Sequence, residues 1–264
     1  DTAYLYTDGA SERLLGEFVP ADRDQLIIAT KAAYTGGSGR DNILTQFDVS
    51  RGRLGLDMVD ILYLHQWDDE TLLEESFETL NELQQAGKIR YIGVSNFAAW
   101  QVMKAQSVAE RLGTRIDILQ PMYSLVKRQA EVEILPMALS EGIAVASYSP
   151  LGGGLLTGKY HAGEAGRLSH DTRYAARYGP DWMHEAAAAL SGVAADMHTH
   201  PATLAVAWAA RHPGVTAPII SARGAAQLQP SLAALSMDLS QDDYARIEAL
   251  SPRPAPATDR LEEA

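Results

Sequence analysis

Six short apolar runs in this chain each end in groups that can donate a proton, accept one or carry charge. Lys31 follows the run 26–30 and His65 follows 59–64; Ser95 and Asn96 follow 91–94, and Gln120 follows 116–119. Tyr148 and Ser149 close the run 143–146 (through Ser147), and Ser221 and Arg223 follow 217–220. Polar residues commonly stand where strands meet wet loops, but lysine, histidine, asparagine and glutamine at successive ends make a set suited to hydrogen bonding and proton transfer. Other patterns suggest different chemistry and fail on their details. Gly153-x-x-x-x-Gly158-Lys159 scans as the phosphate loop of a nucleotide hydrolase, yet Tyr160 stands where Ser or Thr would ligate magnesium. His198-Thr-His200 scans as a metal pair, but it precedes Pro201 at a helix start without an evident third ligand. Gly36-Gly37-Ser38-Gly39 reads as a loop beside the pocket rather than a phosphate cradle.

These groups need elements to position them. The runs are four to six residues long and apolar on both faces, as expected of strands in a sheet covered on both sides. Helical patterns lie between them, near 43–54, 98–112, 129–141, 184–196, 201–211 and 241–250. The clearest starts at Thr71 with a capping box to Glu74, carries Leu73, Phe77, Leu80 and Leu83 on one face, and stops at Gly87. Alternating strands and helices mean a parallel α/β fold, either an open doubly wound sheet or a closed barrel. An open sheet gathers its site at one switch point, whereas a barrel brings every strand end into one ring, so the expected fold is the (β/α)8 TIM barrel. Such a barrel needs eight strands; the sequence supplies six and a stub ending at Asp1. The first strand–helix unit and most of the second strand are therefore expected to be absent from this chain. Residues 1–264 are expected to form a single domain, with 252–264 as a flexible tail.

Composition narrows the function classes. At 46% hydrophobic and 21% charged, the 264 residues are ordinary for a globular chain. A net charge of −12 disfavours nucleic acid and anionic membrane as partners, so an anionic ligand needs a local basic pocket. The absence of cysteine excludes disulfides, thiol catalysis and Cys-ligated zinc, and fits a reducing, cytoplasmic location. No apolar run approaches the roughly 18 residues of a membrane span, and no signal peptide is visible.

Five separated segments carry a resemblance. They are Asp1-Thr-Ala-Tyr-Leu-Tyr6, Lys31 at its strand end, Tyr63-Leu-His65, Gly87-Lys-Ile-Arg-Tyr-Ile-Gly-Val-Ser-Asn-Phe97, and Ser147-Tyr-Ser-Pro-Leu-Gly-Gly-Gly-Leu-Leu-Thr-Gly-Lys-Tyr160. In order and approximate spacing they resemble the aldo-keto reductase superfamily, from Asp1 to about Leu235. The resemblance implies that Asp1, Tyr6, Lys31 and His65 are the catalytic tetrad. It implies that Ser95, Asn96 and Gln120 grip the nicotinamide carboxamide and that Tyr148 stacks on the nicotinamide ring. Ser149, Pro150, Leu151 and Gly153, with Lys159, would hold the pyrophosphate, and Ser221, Arg223 and Gln227 the adenosine-phosphate end. Pro230 and Ser231 depart from the family pattern where relatives often place an acid and an amide for adenine.

The implied chemistry is reduction of an aldehyde or ketone to an alcohol with NADPH as cofactor. A phenol near pKa 10 is a weak acid at neutral pH, and an adjacent ammonium brings it toward the working range. Lys31 would do this for Tyr6, Asp1 would orient Lys31, and His65 would donate to the carbonyl oxygen as negative charge develops there. Trp67 is expected to line the substrate pocket, whose shape depends on loops near 32–42, 122–128 and 160–182. Potassium-channel β subunits also resemble this superfamily, so a nicotinamide-binding regulatory subunit with little turnover is the alternative.

Overall fold

Parallel strands cannot be joined by tight turns, and each connection here carries a helix that covers the sheet. In the computed structural model, which describes residues 1–260 and 262, the chain divides into two compact units, 1–120 and 121 onward. Residues 261, 263 and 264 of the expected tail lie outside the described residues.

The first unit holds four parallel strands in sequence order: β1 (Ala29–Ala32), β2 (Val59–Leu64), β3 (Ile89–Ser95) and β4 (Ile118–Gln120). Helix α1 (Ala10–Asp22) precedes β1, and α2 (Arg40–Leu54), α3 (Leu73–Gln85) and α4 (Ala99–Arg111) make the three crossovers. Every residue of β2 is buried, the signature of a strand covered on both faces. Ile43 and Phe47 of α2, Phe77 and Leu80 of α3, and Val102 and Val108 of α4 are buried in the core of this unit. The register places Lys31 beside Tyr63, Tyr63 beside Gly93, and Gly93 beside Ile118.

In the second unit β5 (Ala144–Tyr148) pairs in parallel with β6 (Ala217–Ile219). Its helices are α5 (Ile134–Glu141), α6 (Arg167–His170), α7 (Thr172–Arg177), α8 (Asp181–Asp196), α9 (Pro201–Arg211), α10 (Ala225–Leu232) and α11 (Gln241–Glu248). Trp208 of α9 is fully buried and stacked by Tyr123 and by Tyr244 of α11, with centroids 5.3 and 5.9 Å away. Arg128 crosses the same ring and binds both Glu131 and Glu248 at 2.8 Å, which fastens α11 to the unit.

All six expected strands are present; β2 has the expected limits and the other five are shifted. β1 begins at Ala29 rather than Leu26, because the Ile28 N–H is taken by the Asp60 carboxylate and Ile27 faces solvent. β4 begins at Ile118 because the Ile116 N–H goes to the Gln106 side chain. The expected capping box at Thr71 does not form. Leu72 is the cap residue of α3, and the Thr71 hydroxyl donates instead to Asp68, 2.6 Å away. Helix α1 lacks a sequence signal, since it contains Gly16 and Pro20 and leaves Leu14 and Phe18 exposed. Among the described residues, no helix is long and apolar enough to cross a membrane.

Candidate active site

The end of β1 buries an amine. Lys31 has no solvent exposure, and its Nζ donates to Asp1 Oδ2 at 2.7 Å and to the Thr2 carbonyl at 2.8 Å. The segment carrying Asp1 is held along β1 by Thr2 N–H to the Ala29 carbonyl and Tyr4 N–H to the Lys31 carbonyl. Tyr6 begins the short turn that follows. Lys31 Nζ lies 4.8 Å from the centre of its ring, and the His65 ring meets it edge-on at 5.6 Å. All four expected tetrad residues therefore converge within the first unit.

Burial governs the electrostatics. It lowers the Lys31 pKa to about 7 despite the ion pair with Asp1. Burial, and secondarily the charge of Lys31, lowers His65 to about 4, so the imidazole is neutral at pH 7 and is available as an uncharged N–H donor. Tyr63, one layer below, is raised above the usual phenol range by burial, a shift opposed by its hydrogen bond with Gln120. Tyr63 is thus a poor proton donor for catalysis.

The other residues expected in this unit tie the strand ends together. Asn96, in the left-handed region at φ 58°, donates to the His65 carbonyl at 3.0 Å, and the Ser95 hydroxyl donates to the Gln120 carbonyl at 3.0 Å. The Gln120 amide donates to Asp1 Oδ1 at 2.9 Å, a role that sequence reading missed because 119 positions separate the two. Tyr34 was missed as well; its ring meets His65 edge-on at 5.0 Å. Trp67 packs against Phe97 and Trp100, and its indole N–H is held by Asp69. It lines an open groove of about 490 Å³ between the start of α3 and the length of α4, from Trp100 to Arg111.

In the second unit the residues after β5 form a loop of unusual backbone. Ser149, Gly152, Gly153 and Gly154 all have positive φ, and three of the four carry no side chain, so neighbouring groups approach the backbone of this loop closely. A Cβ at Gly153 would lie 2.8 Å from the Tyr174 ring, and one at Gly154 would sit 3.1 Å from Lys159 Nζ. An ammonium, a serine hydroxyl and a side-chain-free backbone are a donor set that fits a diphosphate. Pro150 is buried beside this loop, Leu151 lies half-buried in it, and half-buried Tyr148 ends β5. Ser221 and Arg223 are exposed in the connection from β6 to α10, where Gln227 Oε1 accepts the Arg223 N–H. Among the described residues, no carboxylate pairs with Arg223. The His198-Thr-His200 pair has a structural use: His200 Nδ1 accepts the Ala202 N–H and caps α9.

The comparisons agree with this geometry. The profile of the aldo/keto reductase family matches residues 1–252, and the chain belongs to that family. A probable voltage-gated potassium channel subunit beta of Arabidopsis thaliana is 31% identical over 256 residues, covering 90% of this chain and 77% of the relative. The uncharacterized oxidoreductase YrpG of Bacillus subtilis is 31% identical over 280 residues, covering 98% and 84%. The L-glyceraldehyde 3-phosphate reductase of Escherichia coli O157:H7 is 31% identical over 251 residues, covering 89% and 72%.

Proposed function

We propose that this protein reduces an aldehyde or ketone to an alcohol, with NADPH as the cofactor and Tyr6 as the proton donor. The carrying observation is the convergence of half-buried Tyr6 and the Asp1 carboxylate on buried Lys31 and His65, in a chain of this family. When bound, the reduced nicotinamide supplies a hydride to the carbonyl carbon. Tyr6 transfers its proton to the carbonyl oxygen, Lys31 favours the phenolate left behind, and neutral His65 donates a hydrogen bond to that oxygen. Asp1, itself held by Gln120, keeps the Lys31 ammonium aimed at the ring.

The same proposal assigns Ser95, Asn96 and Gln120 to the nicotinamide carboxamide, and Tyr148 to the ring. It assigns Ser149, Pro150, Leu151, Gly153 and Lys159 to the pyrophosphate, and Ser221, Arg223 and Gln227 to the adenosine end. The substrate is a small carbonyl compound, for which Trp67 is a contact, and the (β/α)8 barrel is the fold. The name of the Escherichia coli relative supports aldehydes as the first substrates to try.

The test is NADPH oxidation with a panel of aldehydes and ketones, wild type against Tyr6→Phe. The variant keeps the ring and loses the donor, so turnover should fall by at least about 10²-fold while NADPH binding stays near wild type. Full activity in Tyr6→Phe overturns the assignment. Tight NADPH retention by wild type without turnover on any carbonyl would favour a regulatory binding subunit.

A further inference from the structure

We propose that Arg53 and Glu12 are positioning residues for Tyr6, an inference that rests on Tyr6 being the proton donor. Tyr6 opens a turn in which the next three residues, Thr7, Asp8 and Gly9, are all left-handed, with φ of 49, 52 and 80°. Left-handed backbone is costly for a β-branched residue such as Thr7 and persists only where the surroundings enforce it. Part of that enforcement is local: the Thr7 hydroxyl donates to the Tyr6 carbonyl at 2.7 Å and accepts the Ser11 N–H at 3.2 Å.

The rest comes from Arg53, in the last turn of α2. Its Nη1 donates to the Tyr4 carbonyl at 2.7 Å and to Glu12 Oε2 at 3.1 Å, and its guanidinium lies 4.8 Å over the Tyr4 ring. The same guanidinium abuts Gly9 so closely that a Cβ there would fall 2.4 Å from Cζ. One planar group thus touches the chain two residues before Tyr6, three residues after it, and the helix that follows.

Glu12 completes the link. It is fully buried in α1, and its second oxygen accepts a 2.6 Å hydrogen bond from the hydroxyl of Thr30. Thr30 is the neighbour of Lys31 in β1, so a continuous network joins the turn carrying the phenol to the strand carrying the ammonium. The Glu12 carboxylate is fully buried and the Arg53 side chain 22% exposed, so losing either partner strands a charge and loosens the turn that the pair braces. Proton transfer is sensitive to that geometry, since a displacement of about 1 Å can cost on the order of 10² in rate. None of these groups touches the reacting atoms, so their loss acts on turnover and spares binding.

The experiment uses the full chain with Arg53→Met, Arg53→Lys and Glu12→Gln, each made in wild-type and Tyr6→Phe backgrounds. Readouts are kcat and KM for an aromatic aldehyde such as 4-nitrobenzaldehyde, and the NADPH Kd from fluorescence. In the wild-type background, Arg53→Met and Glu12→Gln should lower kcat about 10- to 100-fold with KM and Kd nearly unchanged, and Arg53→Lys should recover part of the loss. In the Tyr6→Phe background the same changes should cost almost nothing further, because the group being positioned is gone. Unchanged kcat, or an equal further loss in the Tyr6→Phe background, overturns the positioning role and leaves the function standing. Full activity of Tyr6→Phe alone overturns the reading beneath it. Should Arg53→Met fail to fold, Glu12→Gln, of nearly the same volume, carries the test.

Discussion

Burial shifts Lys31 and His65 in the same direction, toward the neutral base, and this gives both residues pH signatures. The Lys31 pKa falls from 10.5 to about 7 on folding, so between those values the unfolded chain binds the proton that the folded chain releases. Stability from this group therefore rises with pH across that window, and its cost is fully present below about 7. Lys31→Met should flatten the rise, which approaches about 1.4 kcal/mol per pH unit for one proton, in urea unfolding measured from pH 7 to 10. His65 behaves alike at lower pH. Its pKa is about 4 against 6.5 unfolded, so it withdraws stability as pH falls through that interval. NMR of the His65 ring nitrogens should show neutral-imidazole shifts throughout pH 5.5 to 8, with at most a small displacement near 7 as Lys31 titrates. A full inflection near 6.5 would mean that the imidazole is not buried beside a cation. Catalysis carries its own sign: Lys31 loses its charge as pH rises, so kcat/KM for reduction should decline above about pH 7. A flat profile to pH 9 would remove Lys31 as the activating group.

At the scale of elements, the site depends on one missing side chain in β3. Gly93 lies in register with Tyr63, and a Cβ on it would sit 2.3 Å from the Tyr63 ring. That ring is almost fully buried and lies 5.7 Å beneath Lys31 Nζ. Gly93 is not among the glycines of positive φ, so the need for glycine is steric rather than conformational. Gly93→Ala should cost about 1–3 kcal/mol in urea unfolding, the usual price of an overpacked core, and Tyr63→Leu should relieve part of it. Equal losses with and without the tyrosine would show that the ring is not what glycine accommodates. The Thr71 capping box failed for a related reason. Asp68 gathers the Ser38 N–H and the Thr71 hydroxyl, which holds its carboxyl near pKa 2, and this tertiary partner outcompetes the local cap.

For the whole molecule, a net charge of −12 opposes any polyanion that lacks a dedicated cation. Arg223 is exposed, follows β6, and has no carboxylate partner among the described residues. A guanidinium so placed suits the 2′-phosphate that separates NADPH from NADH. Wild type should prefer NADPH, and Arg223→Ala should weaken NADPH roughly ten- to a hundredfold while changing NADH little, as measured by fluorescence titration of each. Equal losses for both cofactors would assign Arg223 to the fold or the pyrophosphate.

The sequence by itself determined the parallel α/β class, the six strand positions to within about three residues, and the four residues of the cluster. It could do so because apolar runs, their polar ends and the five motifs are local patterns in the chain. The tertiary structure decided what depends on partners distant in sequence. Asp1 is held by Gln120, Glu12 reaches Thr30 and Arg53, and the ladder of β1 starts only after Asp60 has claimed the Ile28 N–H. Burial did likewise for the pKa values, because desolvation at Lys31 and His65 is set by everything packed around them and by no residue beside them in the chain.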